Sequence, residues 1–473
     1  MPGLLGSLLN NYQALNANSQ ALDLTGKNLA NINNAGYARQ RVILGALGSI
    51  TTSEGTQSMG VAALGIEQAR DILLDRQLQR DISKTSFLDS RQSALQAADS
   101  ALGQQIDRTN DTSSVSTASA NTGSGISENL STVFAGFESW SVNPSDAGEK
   151  QLLLQKASIL VDKINTTDSN LAQVQSDLTD QVTSDVTKAN DILQTISDLN
   201  TAIGRAENVK PDSAVDLRDQ RQAKIEELAK YLDFTVQNIV GSHGQVSLTS
   251  KDGGGVPVDL INPTLTGPLT FDGTNFSAGS PVTVLALSGG SLQSRIDVRD
   301  GTVADTRTQL KALADQLTTS VNAAYNPTNV AGLNFFSAVP LTGLIQLEAT
   351  TANLRATTSG TSGGNELAVA VAGLASVQFS IGGGDLIDGS FSSHFSGMVA
   401  SLGLDLSNTG TRLEDQTLSE TNTRQNRDSV SGVSQDEELA NMLRFQRSYQ
   451  ACARFTNAID SLLELVVNKL GSF

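Results

Sequence analysis

Apolar positions recur at alternating spacings of three and four at both ends of the chain. Near the start these are Leu5, Leu8, Tyr12, Leu15, Ser19, Leu22, Gly26 and Leu29. The spacing predicts an amphipathic helix with a heptad seam. Ser19 and Gly26 are small, so another backbone is expected to approach closely there. Near the end, Met442, Phe445, Tyr449, Cys452, Thr456, Ile459, Leu463, Val466 and Leu470 keep the same rhythm. Ser434 and Glu437 fit a capping box, Asp436, Glu437 and Glu438 load the positive helix start, and Lys469 sits at the other end. The asparagine-rich flanks of the first helix make it marginal alone in water. The two ends are therefore expected to pack on each other or on neighbouring chains.

The middle of the chain is patterned differently. From Glu149 to Ile203 there is neither Gly nor Pro. Leu153, Ala157, Leu160, Ile164, Thr167, Leu171, Val174 and Leu178 form a heptad seam; the register slips through Val182 and Val186 and resumes at Ala189, Leu193 and Ile196. An unbroken helix here would be about 80 Å long; a break at the slip would make a hairpin. A second amphipathic stretch runs from Val303 to Ala324, with Leu310, Leu313, Leu317 and Val321 on one face. Between Phe234 and Leu292, short β-branched runs alternate with turn residues, and residues 335–395 read similarly, so strands and hairpins are expected in both. Residues 106–125 are a low-complexity stretch, expected to be flexible.

Composition narrows the function classes. The chain has 473 residues, with 32 Lys+Arg against 49 Asp+Glu. That acidic balance argues against nucleic acid and against an anionic membrane surface. No run approaches the length of a membrane span, and the N-terminus lacks the basic start and apolar run of a secretory signal peptide. The single cysteine, Cys452, excludes an intramolecular disulfide and is read as a small seam hydrophobe. His243 and His394 both lie in Gly/Ser-rich contexts and are expected to be loop residues. The Gly triplets at 253–255 and 382–384 lack the setting of a phosphate loop. Asp216 and Asp219, beside Arg218 and Arg221, are read as surface ion pairs. The expectation is no enzyme, no cofactor and no metal.

One short word stands apart. Residues 28–41 read NLANINNAGYARQR. Asn33 and Asn34 favour a turn, Gly36 is expected to supply permissive backbone past a helix end, and Tyr37 to pack back on that helix. Arg39 and Arg41 are expected to point into whatever lies beside it. Asn28, Ala30, Asn31, Gly36 and Tyr37 match the N-terminal signature of bacterial flagellar axial proteins (rod, hook and hook-associated), which the chain resembles; Asn34 stands where Thr or Val is usual. The Arg39-Gln40 continuation, the central helices, the DLRDQRQAKIEELAKYLDFTV stretch and the last amphipathic stretch resemble, in order, the hook-associated family of the hook–filament junction.

The resemblance implies a mainly α protein with β-rich insertions: paired N- and C-terminal coiled-coil helices, an elongated helical body and outer β-rich domains. The expected organisation is a terminal coiled-coil domain (1–67 with 430–473), a helical body (68–235, 291–334 and 396–429) and β-rich segments at 236–290 and 335–395. It implies a secreted structural subunit of the flagellum, exported by the flagellar type III system and polymerising at the tip. Its implied partners are further copies of itself, in a ring or tube, the hook protein, a second junction protein and an export chaperone; nucleic acid and membrane are not among them. The assembly interface would comprise Leu5, Leu8, Tyr12, Leu15, Leu22, Leu29, Asn31, Gly36, Tyr37, Arg39, Met442, Phe445, Tyr449, Ile459, Leu463, Val466 and Leu470. The chaperone would hold Met442, Tyr449, Leu463 and Val466. A hook or rod protein shares the end motifs but not the Asp216–Arg221 region or the Arg39-Gln40 run. An exported hydrolase would need a catalytic cluster that the sequence does not display.

Overall fold

A computed structural model describes residues 4–34, 36–52, 55–103, 125–338, 343–359, 361 and 363–465. All but the last residue of the low-complexity stretch 106–125 lies outside these, as do Val466, Lys469 and Leu470; of Leu5 only the backbone is described. In chain order the elements begin with α1 (Leu4–Ala30), β1 (Gln40–Ala46), β2 (Ser49–Thr52), β3 (Gly55–Ser58), β4 (Val61–Gln68), α2 (Ile72–Leu102) and α3 (Ile126–Val142). Helices α4 (Ala147–Val209) and α5 (Val215–Leu228) lead to β5 (Thr235–Asn238), β6 (Val246–Lys251), β7 (Pro257–Ile261), β8 (Thr270–Phe271), β9 (Phe276–Ala278) and β10 (Thr283–Leu285). Helix α6 (Gly290–Asp297) passes through a π-helical turn, Val298–Val303, into α7 (Ala304–Tyr325). The chain finishes with β11 (Phe336–Ser337), β12 (Gln346–Leu347), α8 (Glu366–Gly373), α9 (Phe391–Ser431) and α10 (Gln435–Leu465). This is the mainly α fold with small β insertions that the pattern predicts.

Helix α4 runs 63 residues without interruption, so the register slip does not break it. Leu153, Ala157, Leu160, Ile164, Thr167, Leu171 and Leu178 are all buried, and so are Val182, Val186, Ala189, Leu193 and Ile196. A slipped heptad only rotates the buried stripe around the helix; without Gly or Pro nothing ends the hydrogen-bond ladder.

The chain divides into two compact units. One comprises residues 87–184 and 291–414. Its core is apolar and aromatic: Phe137, Trp140, Tyr325, Phe335, Phe336, Phe391 and Phe395 are fully buried, joined by the α4 leucines to position 178 and by Leu310, Leu313, Leu317 and Val321 of α7. Where strands were expected through residues 335–395, β11 and β12 are only two residues each, and Glu366–Gly373 is helical. Leu367, Ala368 and Val371 bury one side of that helix, which is the i, i+1, i+4 spacing of a helix face. His394, expected in a loop, lies in the first turn of α9.

The other unit comprises residues 1–86, 185–290 and 415–473 and holds both chain ends. Strands β5–β6–β7 and β10–β9–β8 form two antiparallel three-stranded sheets. Three polar side chains of α4 hold this irregular segment. Asn200 donates to the carbonyls of Val246 (2.7 Å) and Pro263 (2.8 Å), Ser197 Oγ accepts from Leu265 N (3.0 Å), and Asn190 exchanges two bonds with Leu269. An amide that both donates and accepts satisfies backbone groups that no strand partner reaches.

Candidate assembly site at the paired chain ends

Helices α1 and α10 pack against each other. On α10 the expected seam faces the partner: Ile459 is buried, and Met442, Phe445, Cys452, Thr456 and Leu463 are half-buried. Tyr449 is the exception at 38% exposed. On α1 the most deeply buried positions are not the seam leucines. Its fully buried positions are Ala17, Ala21, Leu24, Thr25 and Asn28, a stripe rotated away from the leucine seam. Leu8, Leu15, Leu22 and Leu29 are only half-buried, and Tyr12 is 67% exposed. A Cβ added at Gly26 would meet nothing within 4 Å among the described residues. Asn10 and Gln13, on the side of that stripe, lie 3.2–3.4 Å from a Cβ placed on Gly60 just before β4, and Ala21 and Leu24 line a cleft with residues of β1 and α10. Asn11 fastens the pair, its Nδ2 donating to Cys452 O and to Thr456 Oγ1, both at 2.6 Å.

The chain leaves α1 through a polar hub. Asn28 Oδ1 accepts from Tyr37 OH (2.8 Å) and Gln40 N (3.1 Å); its Nδ2 donates to Gln40 O (2.8 Å) and Glu438 Oε2 (3.1 Å). Every hydrogen-bonding position of that buried amide is used. Arg39 is buried beside it. Its Nε and Nη2 both reach Glu438 Oε1 at 2.7 Å, and its Nη1 reaches Glu437 at 2.5 Å. Glu437 was expected to close a capping box; its carboxylate instead takes Arg39, while Glu438 N donates to Ser434 O (3.0 Å). The backbone of Arg39 is clamped as well, its N–H donating to Ser431 O and its carbonyl accepting from Ala69 N, each at 2.8 Å.

A second set of contacts ties the hub to α5. Arg70 reaches Asp219 (2.6 Å), Asp75 (3.2 Å) and the carbonyl of Gly36 (3.1 Å), and Gln40 Nε2 donates to Asp216 (3.0 Å). The carboxylates of α5 are thus not the surface pairs expected from sequence. Asp219 is buried, Arg218 pairs with Glu207 (2.6 Å), and Arg221 donates to Asn200 and to Gly244 O. Burial raises the Asp219 pKa, which Arg70 only partly offsets. Burial also holds the Tyr37 hydroxyl far above its ordinary pKa, with Asp219, Asp216 and Glu438 adding to the effect. Arg221, buried and near Arg218, is pushed down to about 10.

Gly36 has its own correction. Its φ is not in the left-handed region; a Cβ there would meet Ala223 Cβ of α5 at 3.3 Å. The glycine serves close approach of two backbones rather than a special turn. Arg41, expected to point inward, is exposed, and Asn31 is half-buried. The sequence signals that were missed are the small-residue stripe of α1 and the pairing of Arg39 with Glu438 across 399 positions. Among the described residues, no group of three His, Cys, Asp or Glu is placed to hold a metal. No helix among them is long and apolar enough to cross a membrane.

Both ends and the middle of the chain match known proteins. The family described as "Flagellar hook-associated protein FlgK helical domain" matches residues 112–336, and "Flagellar basal body rod FlgEFG protein C-terminal" matches residues 424–469. Over 97% of both chains, the sequence is 24% identical to flagellar hook-associated protein 1 of Bacillus subtilis. Along nearly its whole length the chain is similar to hook-associated protein 1. The Salmonella typhimurium member is 27% identical over 70% of this chain, and the Escherichia coli member 25% identical over 70%; the matched part spans 60% of each of those proteins. The solved flagellar hook junction protein FlgK from Burkholderia pseudomallei overlaps 56% of the chain at 20% identity and a TM-score of 0.45. Within this hook-associated family setting, the second match falls on the α10 segment that Arg39 and Asn11 hold.

Proposed function

We propose that the chain is the structural subunit joining hook to filament, and that it works by assembly rather than catalysis. One observation carries the reading: α1 and α10 pack against each other and still leave apolar surface uncovered on both helices. Leu9 and Tyr12 of α1 are 58% and 67% exposed, and Leu443, Phe455 and Leu462 of α10 are 53–55% exposed. Surface of this kind on elements that already have an internal partner suits further copies of the same element packed around a ring. Leu8, Tyr12, Leu15, Leu22 and Leu29 would face neighbouring subunits, while Phe445, Ile459 and Leu463 hold the pair within one subunit.

Secretion through the flagellar export channel follows from the same reading. An export chaperone holding Met442, Tyr449, Leu463 and Val466 would compete with α1, because Met442 and Leu463 are half-buried in the pair. The chain would therefore close its ends only after the chaperone leaves. Deleting the gene tests the proposal. Cells should keep hooks, lack filaments and release flagellin into the medium; full-length filaments in such cells would refute it.

A further inference from the structure

Beside the hub, α1, β1 and α10 enclose a cleft of about 350 Å³ whose lining includes Arg39, Arg41, Glu438 and Arg444. The inner wall is finished chemistry. Glu438 is 2% exposed, with Oε1 taken by Arg39 and Oε2 by Asn28. Arg39 spends its remaining nitrogen on Glu437. The outer wall is not finished. Arg41 and Arg444 are exposed and enter no ion pair among the described residues, and Arg444 lies over the Phe445 ring at 4.9 Å. Arg41 and Arg444 thus bring two guanidinium groups to a partly enclosed space whose lining carboxylate, Glu438, is already taken by Arg39. A guanidinium with its fork free is suited to a carboxylate.

The chain also presents the complement. Helix α1 carries a single acidic residue, Asp23. It is exposed and has no partner among the described residues. It lies 11 positions from Tyr12, about three turns along the helix and so on the same side. That is the side the alanine stripe leaves uncovered. A cleft and a carboxylate on different faces of one chain make a head-to-tail contact, the kind that closes into rings.

We propose that the Arg41–Arg444 cleft receives Asp23 of a second copy of this chain, setting the register between adjacent subunits. This rests on the assembly reading above. It adds to it a specific charge pair, whereas the apolar surface alone fixes no register.

The test exchanges the charges in the full-length protein, produced as the cell's only copy. Asp23→Arg and Arg444→Glu should each reduce filament-bearing cells at least ten-fold while leaving monomer melting unchanged. Combining the two should restore filaments to within two-fold of wild type. Normal filaments in either single variant would overturn the proposal, and so would a double variant no better than the singles. Failure of the assembly reading itself shows separately: the gene deletion would then leave filaments intact, whatever the charge variants do.

Discussion

At the centre of the unit built on Trp140, the large side chains are apolar: Phe137, Phe335, Phe336, Phe391 and Phe395 are fully buried around it. In the unit that holds the chain ends, the buried groups near α1 and α10 include Asn28, Arg39, Gln40, Asp219 and Glu438. The first arrangement needs only volume and shape, and it tolerates whatever preserves them. The second needs every partner present, because a buried charge or amide left alone costs more than the intact network gains. A single chain thus combines a self-sufficient core with ends whose order depends on exact pairing.

The contrast can be broken first at its strongest point. Trp140→Ala should cost about 3–5 kcal/mol, read as a lowered denaturant midpoint for signals from residues 87–184 and 291–414. Signals from α1 and α10 should change far less. A uniform loss across both units would mean that they do not behave as separate bodies.

Arg39→Ala acts on the other side of the comparison. It leaves Glu438 buried without its cation, and removing one partner of a buried pair costs about 3 kcal/mol. Faster amide exchange should appear in the first turns of α10 and the last turn of α1, with the Trp140 core unaffected. Undiminished protection of α10 would show that the helix seam alone holds the ends.

The smallest effect sharpens the comparison without disturbing either unit. Glu366 is fully exposed, yet its pKa is pulled down to about 2 from the usual 4.5, first by the Thr357 hydroxyl, then by its own and the Thr358 backbone N–H. Because the folded pKa is the lower one, this contribution is present above about pH 4.5 and fades as pH falls towards 2. A carbon-detected titration of the Glu366 carboxylate should show its midpoint near 2. A midpoint near 4.5 would mean that the Thr357–Thr358 turn does not hold in solution.

Much of the helical framework was legible in the sequence. The seams of α4 and α7 were named residue by residue, because a long helix with no Gly or Pro must bury its periodic apolar face. The seam of α10 was legible for the same reason. The buried stripe of α1 was not, because Ala17 and Ala21 are weak hydrophobic signals beside Leu15 and Leu22. Arg39 with Glu438 was hidden by the distance between them in sequence. The word around Gly36 was visible as a unit, but its reason, contact with Ala223, lies on a helix that no local pattern connects to it. The asparagine clamps of α4 looked like ordinary polar positions, since their partners are backbone groups of irregular strands.

The central claim is that the ends pair within one chain and assemble through the apolar surface that pairing leaves free. Tyr12 tests it most directly, being the most exposed large apolar side chain among those described on α1. With Tyr12→Asp, the purified chain should keep wild-type helicity and melting and the same exchange protection in α1 and α10. Cells carrying it as their only copy should form hooks without filaments. Filaments of normal length, or a purified chain that has lost the α1–α10 pairing, would contradict the account.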